Sequence, residues 1–116
     1  MAIFSKSLTK TDITKKLSFP TKSLKYLPCF GIGHALDLHV RDESGHVWTF
    51  RCIIRKKNHP KPVLTKGWRK FASSKHLDAG DKIIFYEQED EATGAKYKIE
   101  VKKSIKLFGA ILGYLP

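Results

Sequence analysis

Residues 34–54 carry the pattern that most restricts how this chain folds. Leu36, Leu38 and Val40 recur at every second position from His34 to Arg41, and Trp48, Phe50, Cys52 and Ile54 do so from Val47 onward, opposite Thr49, Arg51, Ile53 and Arg55. A period of two places each apolar set on one face of a β-strand, whereas a helix would scatter it around the axis. Asp42-Glu43-Ser44-Gly45 lies between the runs and supplies a turn, so the segment is expected to be a hairpin. Asp81 to Gln88 and Tyr97 to Lys103 repeat the arrangement around the acidic turn Glu89-Asp90-Glu91-Ala92-Thr93-Gly94, with Tyr97, Ile99 and Val101 alternating against Lys96, Lys98, Glu100 and Lys102.

Two short helices interrupt the strands. Thr21 to Leu27 is bounded by Pro20 and Pro28, and Gly67 to Lys75 aligns Trp68, Phe71 and Ala72 on one side. With no strand–helix–strand rhythm, the expected class is mainly β, a compact barrel or sandwich. Trp48 and Trp68 belong to the core on this reading. A chain of 116 residues holds one domain, placed at residues 1–106, followed by an apolar tail at 107–116. That tail is apolar enough to seed a protein partner or homodimer contact; covering the open edge of the sheet is the favoured reading. No apolar run approaches the roughly 20 residues that cross a bilayer, and the amino end lacks the apolar centre of a secretory signal, so a soluble intracellular protein without a membrane partner is expected. Cys29 and Cys52 are far apart, which predicts reduced structural thiols. His34 faces away from Asp37 and His39 in a strand, leaving no closed ligand set for a metal, and no cofactor is expected.

Charge is segregated along the chain. Residues 1–75 hold 16 of the 22 Lys and Arg against four acids, a net +12, while residues 76–116 have a net −1. The densest stretch is Arg55-Lys56-Lys57-Asn58-His59-Pro60-Lys61, which no acid interrupts. Such a loop repels itself and loses entropy on ordering, so it reads as a surface built to meet a polyanion. Pro60 and Pro62 either pre-order it or keep it from pairing as a strand. His59 would couple binding modestly to pH. Catalysis is not expected: the acids of 87–91 are remote in sequence from the basic segments, and no clustered set suits a metal-dependent nuclease. A non-specific or single-stranded nucleic-acid-binding β-barrel is one alternative, but here cations cluster in loops while aromatics mostly alternate inward. A basic protein-interaction module is the other.

The order of motifs resembles the plant-type B3 DNA-binding domain. The resemblance runs from Phe4-Ser5-Lys6-Ser7-Leu8-Thr9-Lys10-Thr11-Asp12-Ile13, through Phe19-Pro20 and Asp42-Glu43-Ser44-Gly45-His46-Val47-Trp48-Thr49-Phe50-Arg51, to Leu64-Thr65-Lys66-Gly67-Trp68-Arg69-Lys70-Phe71 and Leu77-Asp78-Ala79-Gly80-Asp81. It implies a seven-stranded open pseudobarrel with two short helices, gripping the major groove of double-stranded DNA between two arms, in a plant nuclear protein that regulates transcription. By this resemblance the N-terminal arm spans Lys6 to Ser18 and offers Lys6, Lys10, Thr11, Thr14, Lys15, Lys16 and Ser18. The C-terminal arm spans Arg55 to Arg69 and offers Arg55, Lys56, Lys57, Asn58, Lys61, Thr65 and Arg69. Arg55 and Asn58 are the first candidates for base edges, Lys61 stands roughly where related arms present another base-reading cation, Thr65 and Arg69 resemble positions at the DNA edge, and the flexible Lys15, Lys16, Lys56 and Lys57 suit phosphates. Asp12 is expected to order the arm by bonding nearby backbone or bases. The N-terminal arm is shorter than in several branches of the family, so a target sequence does not carry over.

Overall fold

The computed structural model describes residues 1–28, 35–54 and 61–115. In chain order its elements are β1 (Ala2–Ser7), α1 (Lys10–Thr14), β2 (Leu17–Ser18), a 3₁₀ turn (Thr21–Tyr26), β3 (Ala35–Arg41), β4 (Val47–Ile54), β5 (Pro62–Leu64), α2 (Trp68–Ser74), β6 (Lys82–Glu87), β7 (Tyr97–Lys102), β8 (Ser104–Leu107) and β9 (Ala110–Tyr114). Seven strands form one sheet in the order β1-β6-β7-β3-β4-β5-β2, and β8 and β9 make a separate two-stranded sheet. The expected seven-stranded pseudobarrel is therefore present, with an additional hairpin at its end.

Both alternating pairs become antiparallel hairpins. β3 and β4 pair from Ala35↔Ile53 to Arg41↔Val47, and β6 and β7 from Lys82↔Lys102 to Glu87↔Tyr97. A parallel contact, Val40↔Tyr97 and Arg41↔Lys98, joins the two hairpins. The outer strands are β1, paired with β6, and β2, paired with β5. Both edges thus come from the first 18 residues, and the curled sheet brings them together: the Lys6 ammonium on β1 donates to the Ser18 carbonyl on β2 at 3.2 Å, and the Phe4 and Phe19 rings lie 4.6 Å apart.

The alternating residues point inward as expected. Leu38, Val40, Phe50, Cys52, Ile54, Ile83, Phe85, Tyr97 and Ile99 are buried, joined by Leu17, Leu64, Trp68 and Phe71. Trp48 is half-buried and packs edge-on against Phe71 at 5.2 Å. Burial pushes the Cys52 thiol up to about 11, in keeping with a structural rather than reactive cysteine.

Two buried aspartates set the boundaries of the elements. Asp42 ends β3, and its carboxylate accepts from the Ser44 amide, the Ser44 hydroxyl, the His46 amide, the Trp48 indole and the Lys75 ammonium, tying the β3–β4 turn to the end of α2. Burial disfavours its charge, but these donors outweigh that and hold the carboxyl well below the usual carboxylate range. Asp81 was expected to begin a strand. Its carboxylate instead collects Lys103, the Asp78 and Ser104 amides and the Ser104 hydroxyl, so β6 starts one residue later. Here too burial opposes the charge and the donors prevail, lowering the pKa to about 2.

Three other expectations are refined. The segment from Thr21 forms a 3₁₀ turn, Gly67 and Lys75 act as caps of α2, and α1 is a helix that the apolar pattern did not signal. The boundary placed at 106/107 falls inside β8. The tail is a hairpin that meets the body along one side: Tyr114 at its base contacts Ser7, and nearer the tip Lys106 donates to the Ala79 carbonyl while Ile111 lies against Gly80. Cys29, His34 and residues 55–60 lie outside the described residues. No described helix is long and apolar enough to cross a membrane.

Candidate nucleic-acid interface

The segment between the two sheet edges is built around Asp12. Thr9 caps α1 by accepting from the Asp12 amide at 3.2 Å, and the Asp12 carboxylate accepts from the Thr9 amide at 2.9 Å, a reciprocal capping box. The second carboxylate oxygen receives the Lys6 ammonium at 2.9 Å. From the other side the Trp68 indole donates to the Asp12 carbonyl at 2.7 Å, fastening α1 to α2. Asp12 therefore bonds backbone, as expected, and holds a five-residue helix too short to persist alone. Because Asp12 faces inward, Lys10, Thr11, Thr14, Lys15 and Lys16 are all exposed. The Thr14 hydroxyl donates to the Lys10 carbonyl, which leaves its lone pairs facing outward.

The second segment emerges through β5, where Pro62, Val63 and Leu64 are buried and Lys61 just before them is exposed. Beyond β5 the chain stays bonded to β4: the Thr65 amide donates to the Arg51 carbonyl and the Arg51 amide to the Lys66 carbonyl, each at 2.9 Å. Gly67 then turns the chain into α2 with a φ of 94°, and a β-carbon there would sit 2.2 Å from the Thr49 carbonyl oxygen. Only glycine fits this close approach. The outward side of the turn carries Lys66, Arg69 and Lys70, all exposed.

Two concavities lie along this rim. One of about 240 Å³ is lined by Ser5, Lys6, Ser18, Phe19, Pro20 and Lys61, and thus sits between the two segments. The other, of about 330 Å³, is lined by Asp37, Thr49, Arg51, Lys66, Gly67 and Lys70. Arg51, Lys66 and Lys70 were not among the expected site residues, because the β4-to-65/66 pairing that unites them is invisible in linear order. Arg51 pairs with Asp37 at 3.4 Å, but both side chains are nearly half exposed and the contact is weak.

The described candidates divide into two groups. Lys10, Lys15, Lys16, Lys61 and Arg69 are exposed and form no ion pair among the described residues, and the exposed Thr11 and Thr14 stand beside them. Lys6, Ser18 and Thr65 are at most half-exposed and internally bonded; Lys6 in particular spends its charge on Asp12. Arg55, Lys56, Lys57 and Asn58 lie outside the described residues. Away from the rim, basic side chains are more often neutralised, as in Lys75–Asp42, Arg41–Asp90, Lys98–Glu100 and Lys103–Asp81. No described aromatic ring is exposed on either segment. Among the described residues no group of three or more His, Cys, Asp or Glu is placed to hold a metal ion.

Comparison with known proteins matches residues 4–104 to the family model described as the B3 DNA binding domain. A B3 domain-containing protein of Arabidopsis thaliana, At2g36080, is 36% identical over 93 residues, covering 73% of this chain and 38% of that protein. The chain spans about a third of the length of this and several other B3 domain-containing relatives, and less than a tenth of the auxin response factors it matches. Among solved structures, the Arabidopsis FUS3–DNA complex superposes with a TM-score of 0.74 at 26% identity, covering 89% of this chain and 98% of the other. The Arabidopsis thaliana transcription factor LEC2–DNA complex has a TM-score of 0.71 at 19% identity, covering 87% and 92%, a likeness of fold.

Proposed function

This chain belongs to the B3 DNA binding domain family, and from that membership and the geometry of its rim we propose that it binds double-stranded DNA sequence-selectively in the major groove, without catalysis, as a nuclear regulator of transcription. The observation that carries the proposal is the rim itself: one basic segment links the two edge strands β1 and β2, the other leaves β5 beside β2, and exposed cations and a concavity lie between them. A duplex presents two phosphate rows flanking a groove, and two cationic projections joined by a rigid body match that shape.

The residues take distinct roles. Lys10, Lys15, Lys16, Lys61, Lys66, Arg69 and Lys70 draw in and hold phosphates, assisted by the Thr11 hydroxyl and, once it turns from the Lys10 carbonyl, by that of Thr14. Lys6 contributes by seating the N-terminal arm, and Ser18 and Thr65 by framing the bases of the arms. Arg55 and Asn58 discriminate bases and Lys56 and Lys57 add phosphate contacts; these four roles rest on the sequence. The arm is fixed by Asp12 and Trp68 before DNA arrives, so little ordering cost falls on binding. The lack of exposed aromatic rings on the described parts of the arms favours duplex over single-stranded DNA, since single-strand binders stack bases on such rings.

The test is selection from randomised duplex DNA at about physiological salt, with a single-stranded pool in parallel. An enriched duplex motif is the expected result. Uniform duplex binding would remove sequence selectivity from the proposal, and preference for the single-stranded pool would overturn it.

A further inference from the structure

The large apolar side chains that this fold leaves exposed are concentrated in one place. Apart from Met1, every exposed large hydrophobic among the described residues lies on the β8–β9 hairpin: Ile105, Leu107, Phe108, Ile111, Leu112 and Leu115. The hairpin touches the body along one side, through Tyr114 at its base and through Lys106 and Ile111 against Ala79 and Gly80, and a two-stranded sheet left uncovered on its other side is marginally stable in water. Its tip departs from turn chemistry as well. Phe108 and Gly109 occupy the two loop positions with φ of 52° and 80°, a left-handed pair that Asn-Gly fills readily. A phenylalanine there is strained, and Phe108 is 99% exposed. A side chain that costs stability in its own backbone and is left exposed by the described residues points to a contact elsewhere.

We propose that this hairpin is the dimerisation surface of the protein and that its occupant is the same hairpin of a second copy. Area supports a second copy. At roughly 200 Å² for a large apolar residue fully exposed, the five side chains other than Ile111, which lies against Gly80, present on the order of 600 Å². Two such faces together approach ~1,200 Å², at the lower end of the ~1,200–2,000 Å² typical of stable interfaces. Charge supports it too. Residues 104–115 contain one ionised side chain, Lys106, whose ammonium is turned to the Ala79 carbonyl. The face thus carries no charge pattern to select an acidic or basic partner and nothing that repels its own copy. Two hairpins face to face form a closed, twofold pair resembling a small sandwich.

Sedimentation equilibrium of the 116-residue chain, without DNA, tests the proposal together with thermal denaturation. The wild type should show a two-chain mass at up to roughly 100 µM. Association should strengthen as salt rises, because screening relieves repulsion between two copies of net charge +11. Phe108→Asn suits the turn, so it should melt no lower than the wild type while dimerisation weakens roughly tenfold or more. Leu112→Lys should likewise yield single chains that remain folded. A single-chain mass for the wild type across this range, an open-ended series of larger masses, or a two-chain mass that survives both substitutions would each overturn the proposal.

Discussion

Removing the Lys6 ammonium while keeping its apolar stem, by Lys6→Met, separates two roles for a basic residue on a DNA-binding rim. The ammonium lies 2.9 Å from Asp12 Oδ1 and 3.2 Å from the Ser18 carbonyl, and the Asp12 side chain is only 8% exposed. The variant leaves a buried carboxylate with the Thr9 amide as its remaining side-chain partner, and it opens the bond between the two sheet edges. A hydrogen bond to a charged group contributes roughly 1.5–3 kcal/mol, so a loss of about 2 kcal/mol is expected. In a domain of this size that lowers the Tm by roughly 8 °C. Since the ammonium is already neutralised, few counterions should be released through it, and the slope of log affinity against log salt should stay close to that of the wild type. Lys16→Met should do the reverse, leaving the Tm unchanged and flattening the wild-type slope by about 0.9. The assays are thermal denaturation and fluorescence anisotropy with duplex DNA over a salt series. If Lys6→Met flattened the slope as much as Lys16→Met while costing less than about 0.5 kcal/mol of stability, Lys6 would be a phosphate ligand and the anchoring argument would be wrong.

Other perturbations have equally definite outcomes. Gly67→Ala drives a β-carbon against the Thr49 carbonyl at a φ of 94°, so urea denaturation should register a loss of about 3 kcal/mol or more. The Asp81 carboxyl titrates at about 2 in the folded chain, below its unfolded value, so its stabilisation is complete above about pH 5 and disappears as the pH falls from about 4 towards 2. That contribution is roughly 2 kcal/mol, and Asp81→Asn should reduce the acid dependence of stability in this window; an unchanged acid limb would refute the assignment. Arg55→Ala is expected to cost roughly 1–3 kcal/mol on the preferred duplex and to erode discrimination at one position. Equal weakening on every sequence, measured by competition, would deny Arg55 a base contact.

What the sequence made legible follows from the distance over which each feature is encoded. The β3–β4 and β6–β7 hairpins were readable because alternation and turn residues are local, and Asp42-Glu43-Ser44-Gly45 marks its turn unaided. α1 escaped because a five-residue helix has no apolar period; its signature was the Thr9-x-x-Asp12 capping box, a signal that was available. The tail read as a featureless apolar stretch, since β8 and β9 lack polar alternation and Phe108 disguises a left-handed turn. The parallel β3–β7 contact is set by the curvature of the whole sheet, and only family resemblance anticipated that topology. The cleft of Arg51, Lys66 and Lys70 was anticipated by neither pattern nor resemblance, because its members meet through backbone pairing that the side-chain pattern does not record.

Supplying both edges of the sheet from the first 18 residues has a consequence for how the molecule comes into being. β1 is synthesised first, yet its register, Ala2↔Tyr86 to Ser7↔Lys82, requires a strand about 80 residues later. Until β6 has left the ribosome, β1 has no neighbour, Lys6 is not seated, and the helix that carries Lys10 and Thr14 has no body to rest on. Only the local hairpins can assemble early, so folding should fall in the slow, milliseconds-to-seconds class of chains dominated by distant pairings. The segment made first is thus the last to acquire its shape, and an interrupted chain that stops short of β6 has basic residues but no grip.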